Sequence, residues 1–200
     1  MGEEAMTDGS PPPERRAGRP RDPRIEGSAL AAARTLLIEG GAGELTMAAI
    51  ADRADTTKAA LYRRWPSLVH LVYDAAFPAE LLAGEHRGEG IDLGALVRGT
   101  RDVFTTPVVA AALPLLLAEF STHPELHADL IERFEGVFAG LDTRLREGVE
   151  AGSVAVGVRA DDLMAAIVGS VLNGLLLAPA DLDEAWAERL TLLLERGIRP

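Results

Sequence analysis

The sequence LTMAAIADRADTTKAALYRRWPSLVHLV, residues 45–72, decides the fold. Thr46 is a favourable helix N-cap, and the apolar residues after it recur with the spacing of one helical face. Residues 55–57 (Asp-Thr-Thr) break that spacing, since aspartate tolerates the left-handed backbone of a sharp turn and threonine caps a following helix. A second helix is predicted over residues 58–65, and Pro66 ends it by pushing the preceding residue out of the helical region.

Two short helices joined by such a turn are typical of a helix-turn-helix, whose second helix is narrow enough to enter the major groove of DNA. The outward face of this second helix offers hydroxyl and cationic donors, and its alanines are small enough to let the backbone approach a groove wall. Lys58, the single lysine of the chain, suits either a phosphate or a guanine edge. The alternative is a solvated face on an ordinary helical hairpin, which the turn and the small residues disfavour. The predicted DNA-contacting residues of this segment are Thr46, Thr57, Lys58, Ala59, Ala60, Tyr62 and Arg63.

An arginine-rich arm precedes the first helix. Residues 14–24, ERRAGRPRDPR, hold five arginines among glycine and proline and are too irregular for a helix. Arg19 and Arg21 resemble the arginines of minor-groove arms, where an extended side chain meets enhanced negative potential. We therefore predict that both contact DNA, with a solvated tail as the alternative. Residues 1–23 as a whole are expected to form a disordered basic arm.

Charge is unevenly distributed along the chain. The net charge of −11 argues against a protein that coats nucleic acid without specificity. Residues 14–64 nevertheless carry ten Lys and Arg against seven Asp and Glu, whereas residues 65–200 carry ten against twenty-one. This distribution confines contact with phosphate to one end of the molecule. The absence of cysteine excludes disulfides, a thiolate nucleophile and a cysteine-based zinc site.

Helical periodicity covers most of the remaining chain. A first helix over residues 25–39 is stopped by Gly40-Gly41, and a polar linker at residues 83–90 precedes the later helices. The penultimate helix is apolar nearly all round and needs cover on every side. A four-helix bundle made from the last two helices of two subunits would provide that cover, and a monomer that buries both is the alternative. The later helices are predicted over residues 67–78, 93–104, 108–120, 124–149, 163–178 and 181–196.

No convergent set of nucleophile, base and metal ligands marks an enzyme. His123 and His127 stand four residues apart with Glu125 between them, a spacing that can hold a metal. No third ligand accompanies them in the sequence, so we predict no metal site and no cofactor. Asp161 and Asp162 open a helix and are explained by the helix dipole.

The central segment resembles the DNA-binding domain of the TetR family of transcriptional regulators. Three positions depart from the family pattern: Asp55 replaces a turn glycine, Ala60 replaces a threonine, and Leu68-Val69 replaces a lysine–glutamate pair. That lysine commonly helps to hold a phosphate in the family, so one backbone contact is missing here. The resemblance is carried by Leu45, Thr46, Ile50, Ala51, Ala54, Lys58, Leu61, Tyr62, Arg63, Trp65, Pro66 and Ser67.

The resemblance also implies what the second domain does. In the family, the final two helices usually form a homodimer interface, and the domain encloses an effector cavity. A ligand held there is expected to be mostly apolar, with Asn173 as a polar contact. The candidate lining residues are Leu113, Leu116, Leu117, Phe120, Phe134, Phe138, Ile167, Val171 and Asn173.

The expected fold is all-α, with a three-helix DNA-binding domain at residues 24–66 and a larger effector-binding and dimerisation domain at residues 67–200. The expected function is that of a transcriptional repressor that leaves a palindromic operator when a small molecule binds. The alternatives are an effector-free dimeric architectural protein and an enzyme with an appended DNA-binding head. No secretory signal is visible, and the longest apolar run is shorter than the about 20 residues needed to span a bilayer. We therefore expect a cytoplasmic protein without a membrane partner.

Overall fold

The computed structural model describes residues 23–78, 90–120 and 122–200, and all regular elements in these ranges are helical. The expected all-α class is confirmed. The predicted contacts of Arg19 and Arg21 fall outside the described residues, as does the predicted linker apart from Gly90. The helices of the described ranges are α1 (Pro23–Gly40), α2 (Met47–Arg53), α3 (Lys58–Tyr62), α4 (Leu68–Ala76), α5 (Leu93–Thr105), α6 (Pro107–Glu119), α7 (Pro124–Glu150), α8 (Ala160–Leu172) and α9 (Glu184–Gly197).

α1 forms the back of the N-terminal region and lies against α2, α4 and α6. Its buried side chains Ala29, Ala33 and Leu37 follow the four-residue spacing of one helical face. The helix ends where Gly41 adopts a left-handed φ of 68° and its N–H reaches the Leu37 carbonyl at 3.0 Å. Glycine meets no Cβ penalty in that conformation, which is why it terminates helices so often.

α2 and α3 form the predicted helix-turn-helix. The Thr46 hydroxyl accepts the Ala49 N–H at 3.1 Å, and the Thr57 hydroxyl accepts the Ala60 N–H at 3.1 Å, so both predicted caps are confirmed. Between them Asp55 adopts a φ of 49°, the left-handed turn conformation that the sequence predicted. α3 ends at Tyr62, three residues earlier than the predicted end at Trp65, so the helix has stopped before Pro66 is reached.

The C-terminal helices pack around α5, which lies against both α8 and α9. α6 starts at Pro107 and continues through Pro114, so this proline neither delays nor ends the helix. α8 passes into a π-helical turn over Asn173–Leu177, where a Cβ added to Gly174 would meet Leu182 Cδ2 at 2.6 Å. The Asp183 carboxylate caps α9 by accepting the Trp186 N–H at 2.8 Å.

The buried apolar side chains divide into two clusters. The first cluster joins α1–α4 to α6, because Leu61 and Trp65 belong to the same contiguous core as Leu113 and Leu116. The second cluster joins α5, the C-terminal half of α7, α8 and α9, with Leu141 and Ile167 fully buried in it. The helix-turn-helix is therefore packed onto the C-terminal helices through a shared core.

Candidate nucleic-acid interface

The outward face of α3 carries the polar side chains expected to meet DNA. Thr57, Lys58, Ala59, Tyr62 and Arg63 are all exposed, and we call them the α3 face. Tyr62 is 54% exposed although it is aromatic, while Leu61 beside it is fully buried. The helix thus presents its polar side to solvent and its apolar side to the core, as a helix that enters a groove must.

Ala60 is a correction to this list. It was predicted to face a groove wall, but it is only 4% exposed and packs inward with Leu61. A small residue allows either close approach to DNA or close approach between helices, and the second applies here. Ala59, the neighbouring alanine, is exposed and remains on the outward side.

The two threonine caps still have hydrogen-bonding capacity for DNA. Thr46 and Thr57 are exposed, and each hydroxyl oxygen accepts one backbone N–H. A hydroxyl has one donor hydrogen besides its acceptor lone pairs, so each can cap a helix and donate to a phosphate at the same time. These side chains are consequently held in fixed positions by the caps they form.

Opposite charges lie close to this face. Arg53, at the end of α2, pairs with Glu39 of α1 at 2.6 Å, which engages that cation within the protein. Asp52 and Asp55 are exposed at the turn between α2 and α3. The cations of the exposed α3 face itself are Lys58 and Arg63, so a phosphate approaching the helix meets two positive charges beside an acidic turn.

The predicted effector-lining residues fall into different environments. Leu113, Leu116 and Val171 are buried in the first cluster, with Phe120 packed against it, whereas Ile167 is buried in the second cluster with Phe138 against it. Phe134 is half-buried. The structure therefore brings these residues to α6, α7 and α8 but distributes them over two cores rather than one.

Two of the predicted lining residues do not face the interior. Leu117 is 39% exposed on α6. Asn173 is exposed and lies on the outer side of α8, next to Ser170, Trp186 and Leu190. Both corrections have the same origin: an apolar helix does not reveal which of its faces turns towards a given neighbour.

An open groove lies between α8 and α9, the two helices expected to form the dimer interface. It has a volume of about 570 Å³, and we call it the α8–α9 groove. Small residues form its α8 wall, and Leu193 on the α9 wall is 66% exposed. The groove is lined by Ala165, Ala166, Gly169, Ser170, Asn173, Trp186, Arg189, Leu190 and Leu193.

Three histidines, His70, His123 and His127, lie near the junction of α4, α6 and α7. His123 Nδ1 is 3.0 Å from Glu125 Oε1, and His70 Nε2 of α4 is 3.8 Å from the same oxygen. A hydrogen bond from its own backbone N–H and then the contact with His123 lower the pKa of Glu125. His127 instead contacts the Phe120 ring. Within the described ranges, no three His, Cys, Asp or Glu side chains are placed to hold a metal ion.

Comparison with known families agrees with this arrangement. Residues 29–72 match the family described as "Bacterial regulatory proteins, tetR family". Residues 90–194, more than half of the chain, match the "Tetracyclin repressor-like, C-terminal domain". The chain belongs to the TetR family. As a member of that family it is a DNA-binding transcriptional regulator.

Relatives and solved structures extend the comparison of this TetR-family regulator. Uncharacterized HTH-type transcriptional regulators of Mycobacterium tuberculosis and Mycobacterium bovis are 31% identical over 169 residues, covering 78% of this chain and 80% of theirs. The multidrug binding protein EbrR, complexed with imidazole, superposes with a TM-score of 0.64 at 23% identity, covering 90% of this chain and 93% of its own. FadR from Bacillus subtilis, in complex with stearoyl-CoA, gives 0.65 at 18% identity, covering 86% and 99%. These structural likenesses show the shared fold.

One described segment of the regulator, Ala160–Leu177, is long and apolar enough to cross a membrane by length and composition, and α5 with α6 would qualify only as a pair bent by 80°. Core helices of soluble proteins meet the same criterion. The buried side of this segment, with Leu163, Ile167 and Val171, packs into the two protein cores.

Proposed function

We propose that this protein is a homodimeric repressor that binds a roughly palindromic operator and leaves it when a small, mostly apolar molecule binds the C-terminal helices. The observation that carries the proposal is the division of α3 into two sides. Its polar α3 face is exposed, and its apolar side lies in a core that extends to α6. A change in the C-terminal helices therefore reaches the DNA-contacting surface through packed side chains.

DNA contact is assigned to the α3 face together with Thr46, Arg19 and Arg21. Tyr62, Thr46 and Thr57 have hydroxyl donors suited to phosphate, and such contacts fix the register of a protein on the duplex. Lys58, Ala59 and Arg63 lie where base edges would meet a helix in the major groove. The arm arginines would add contacts in the neighbouring minor groove.

Dimerisation through the α8–α9 groove follows from its exposed apolar lining. A monomer would leave Leu193 exposed and Trp186 and Leu190 only half-buried along one side of α9. Pairing two copies of the groove across a two-fold axis covers these side chains and produces two α3 faces related by symmetry. Such a pair would bind two half-sites of a palindrome, which helix-turn-helix dimers contact about 34–36 Å apart, one turn of DNA.

Effector binding is supported by the stretch of α7 between the two cores, which we call the α7 gap because none of its described side chains is buried. Leu126 is buried in the first cluster and Leu141 in the second, while the described side chains between them are at most half-buried. At about 1.5 Å per residue, this gap is roughly 22 Å long. We assign the contact with an apolar ligand to Phe134 and Phe138 of this stretch and to Leu113, Leu116, Phe120, Ile167 and Val171 of the two cores. EbrR and FadR, which share the fold, were solved with imidazole and stearoyl-CoA respectively.

The mechanism would be a shift between two populations. A ligand that fits better when the α3 faces are wrongly spaced for the operator lowers the fraction of protein able to bind DNA. The protein would carry out this function in the cytoplasm, where DNA and small-molecule effectors are both accessible.

The decisive experiment is a binding titration with the DNA upstream of its own coding region, repeated across salt concentrations beside a scrambled duplex. We expect affinity for the upstream DNA at least about 10³-fold higher than for the scramble. Arg63→Ala should weaken binding to the upstream DNA more than to the scramble, because Arg63 is assigned to a base edge. The matched control Arg196→Ala, which removes the same charge from α9, should bind like the wild type.

The same titration tests the effector. Apolar small molecules that release the upstream DNA should lose their effect in Phe138→Asp, which places a carboxylate on the α7 gap. Specific DNA binding that no apolar ligand relieves would favour the effector-free architectural protein. Equal, weak binding to both duplexes would contradict the assignment of operator recognition to this α3 face.

A further inference from the structure

The orientation of α3 depends on contacts outside the helix. α3 has only five residues, and a helix this short has little stability of its own because nucleation costs more than a single turn returns. Two side chains anchor its C-terminal end: Leu61 is fully buried, and Trp65 is 4% exposed. The angle at which the α3 face meets DNA is therefore set by where these anchors are held.

Trp65 is held by a side chain of α4. Its indole Nε1–H donates to Asp74 Oδ2 at 2.8 Å, across nine residues of sequence. Between the two residues the chain turns at Pro66-Ser67, after which α4 begins. The hydrogen bond thus fixes the angle between the end of α3 and the body of α4. Its acceptor is a carboxylate, and a charged acceptor strengthens a hydrogen bond.

The position of Asp74 is itself fixed by the packing of α4. Its neighbours Tyr73 and Ala75 are each 1% exposed, so this turn of α4 is embedded in the first cluster. Arg34 of α1 donates from Nε to the Ala75 carbonyl at 2.9 Å, which ties the same turn to α1. α1 and α4 therefore set the position of Asp74, and the hydrogen bond from Trp65 makes the position of the indole depend on these helices rather than on the helix-turn-helix alone.

We propose that Asp74 is a positioning residue for operator recognition, acting through Trp65 to fix the angle of the α3 face. The inference rests on the proposed binding of a specific operator. Asp74 lies on the side of α4 that contacts Trp65, and its role needs no contact with DNA. Without an acceptor, the buried indole N–H is left unsatisfied, and the end of α3 moves to recover a partner.

A change in this angle should act on specific binding more than on general affinity. Contacts to base edges need side chains placed to within a fraction of an ångström, whereas phosphate contacts from flexible cations tolerate small rotations. Loss of the Trp65–Asp74 hydrogen bond is therefore expected to lower the ratio of operator affinity to nonspecific affinity. A residue with only a structural role would leave that ratio unchanged in folded protein.

The test uses the full chain and DNA sequences enriched by the wild type from a random pool. Asp74→Asn retains an acceptor oxygen and removes the charge, while Asp74→Leu removes both and keeps the number of side-chain heavy atoms and the branching at Cγ. Comparing these two variants isolates the acceptor, because each changes the net charge equally. Asp129→Leu, an exposed aspartate on α7, is the matched control. Trp65→Phe removes the donor and keeps an aromatic ring in the core, so it serves if Asp74→Leu does not fold.

We expect Asp74→Leu to bind the enriched operator at least tenfold more weakly than Asp74→Asn, with nonspecific affinity changed by less than about twofold. The Trp65 indole N–H resonance, identified by its loss in Trp65→Phe, should move in Asp74→Leu and remain near its place in Asp74→Asn. Adding Trp65→Phe to Asp74→Leu should cause no further loss of operator affinity.

Equal operator binding by Asp74→Leu and Asp74→Asn would overturn the inference, as would an equal loss of operator and nonspecific binding. If Asp74→Leu is unfolded, normal operator binding by folded Trp65→Phe would overturn it in the same way. A wild type that enriches no sequence would instead refute the proposed operator recognition itself, and the positioning role with it. Failure of the proposed operator recognition would thus be seen in the wild type itself, whereas failure of the positioning role would be seen only in the comparison of the variants.

Discussion

Leu193→Ser is expected to dissociate the proposed dimer without unfolding the subunit. Leu193 lines the α8–α9 groove and is 66% exposed in the single chain, so replacing it costs the monomer little packing. Burying a leucine side chain completely is worth roughly 1.5–3 kcal/mol, and covering the exposed two-thirds would contribute about 1–2 kcal/mol per subunit. Two-fold symmetry doubles this to about 2–4 kcal/mol per dimer, or a dimer dissociation constant raised about 30- to 700-fold.

Leu192→Ser is the matched control for this prediction. Leu192 is the adjacent residue on α9, is 48% exposed and does not line the groove. Both substitutions carry the same helix-propensity cost, which therefore cancels in the comparison. Fluorescence-detected sedimentation over a wide concentration range gives the dissociation constants, and circular dichroism checks that both variants stay helical.

The result distinguishes an assembly that covers the α8–α9 groove from one that leaves the groove exposed. A large rise in the dissociation constant for Leu193→Ser alone places the interface on the α8–α9 groove. Equal, small effects of both substitutions would refute the reasoning, since the groove would then be uncovered in the assembly. The operator assay supplies a second readout, because a dissociated protein binds a half-site and a full site with similar affinity.

Three further predictions concern the DNA-binding end and its support. Thr57→Asp should keep the α3 cap but weaken binding to all DNA sequences, since aspartate caps well and repels phosphate, while Thr57→Ser should bind like the wild type; thermal unfolding and DNA titration distinguish the two effects. Removing residues 1–22 should reduce the salt slope by about 0.9 for each phosphate-contacting arginine lost, and an unchanged slope would contradict a role for the arm. Because the pKa of Glu125 is lowered in the folded chain, its stabilising contribution is present above the ordinary value of 4.5 and lost as the pH falls through the folded pKa. Glu125→Gln should therefore flatten the decrease in unfolding free energy under acid, measured by urea titration at several pH values, and an equally steep decrease in the variant would count against this contribution.

The helix-turn-helix could be predicted from sequence because its signals are local. Thr46 and Thr57 each satisfy a backbone N–H three residues away, and Pro66 acts on the residue directly before it. Asp55 carries the turn in place of glycine through its own tolerance of a left-handed backbone. None of these effects depends on how distant parts of the chain pack.

The side-chain orientations that were predicted wrongly depend on tertiary packing. Ala60 was assigned to the DNA side because it is small, and packing against the core is equally favourable for a small residue. Asn173 was assigned to the effector region as the polar contact of a mostly apolar ligand. Its spacing with Ala166, Gly169 and Ser170 would have placed it on the small-residue side that forms the α8–α9 groove.

The Trp65–Asp74 hydrogen bond had no signal in the sequence, since nine residues and a proline turn separate the donor from the acceptor. Local patterns identify a helix-turn-helix, but its orientation on the rest of the protein is set by such nonlocal contacts. The same applies to the row of rings that joins α4 to α5, in which Tyr73, Phe77 and Phe104 lie with neighbouring centroids 6.0 and 6.1 Å apart.

This shared packing determines how an effector would act at a distance. α4 cannot shift alone, because its buried side chains contact those of α1 and α6 in one close-packed core, and such cores change between discrete arrangements rather than deform smoothly. In the proposed mechanism, a ligand that displaces α6 would move Tyr73 and Ala75, the turn of α4 on which Asp74 lies, and with it Trp65 and the α3 face. In a dimer joined at the α8–α9 groove, both faces would move symmetrically. Each subunit would then contribute a small displacement of its own α3 face, and the two displacements would add in the distance between the faces. A modest repacking could thus remove the protein from an operator whose half-site spacing is fixed.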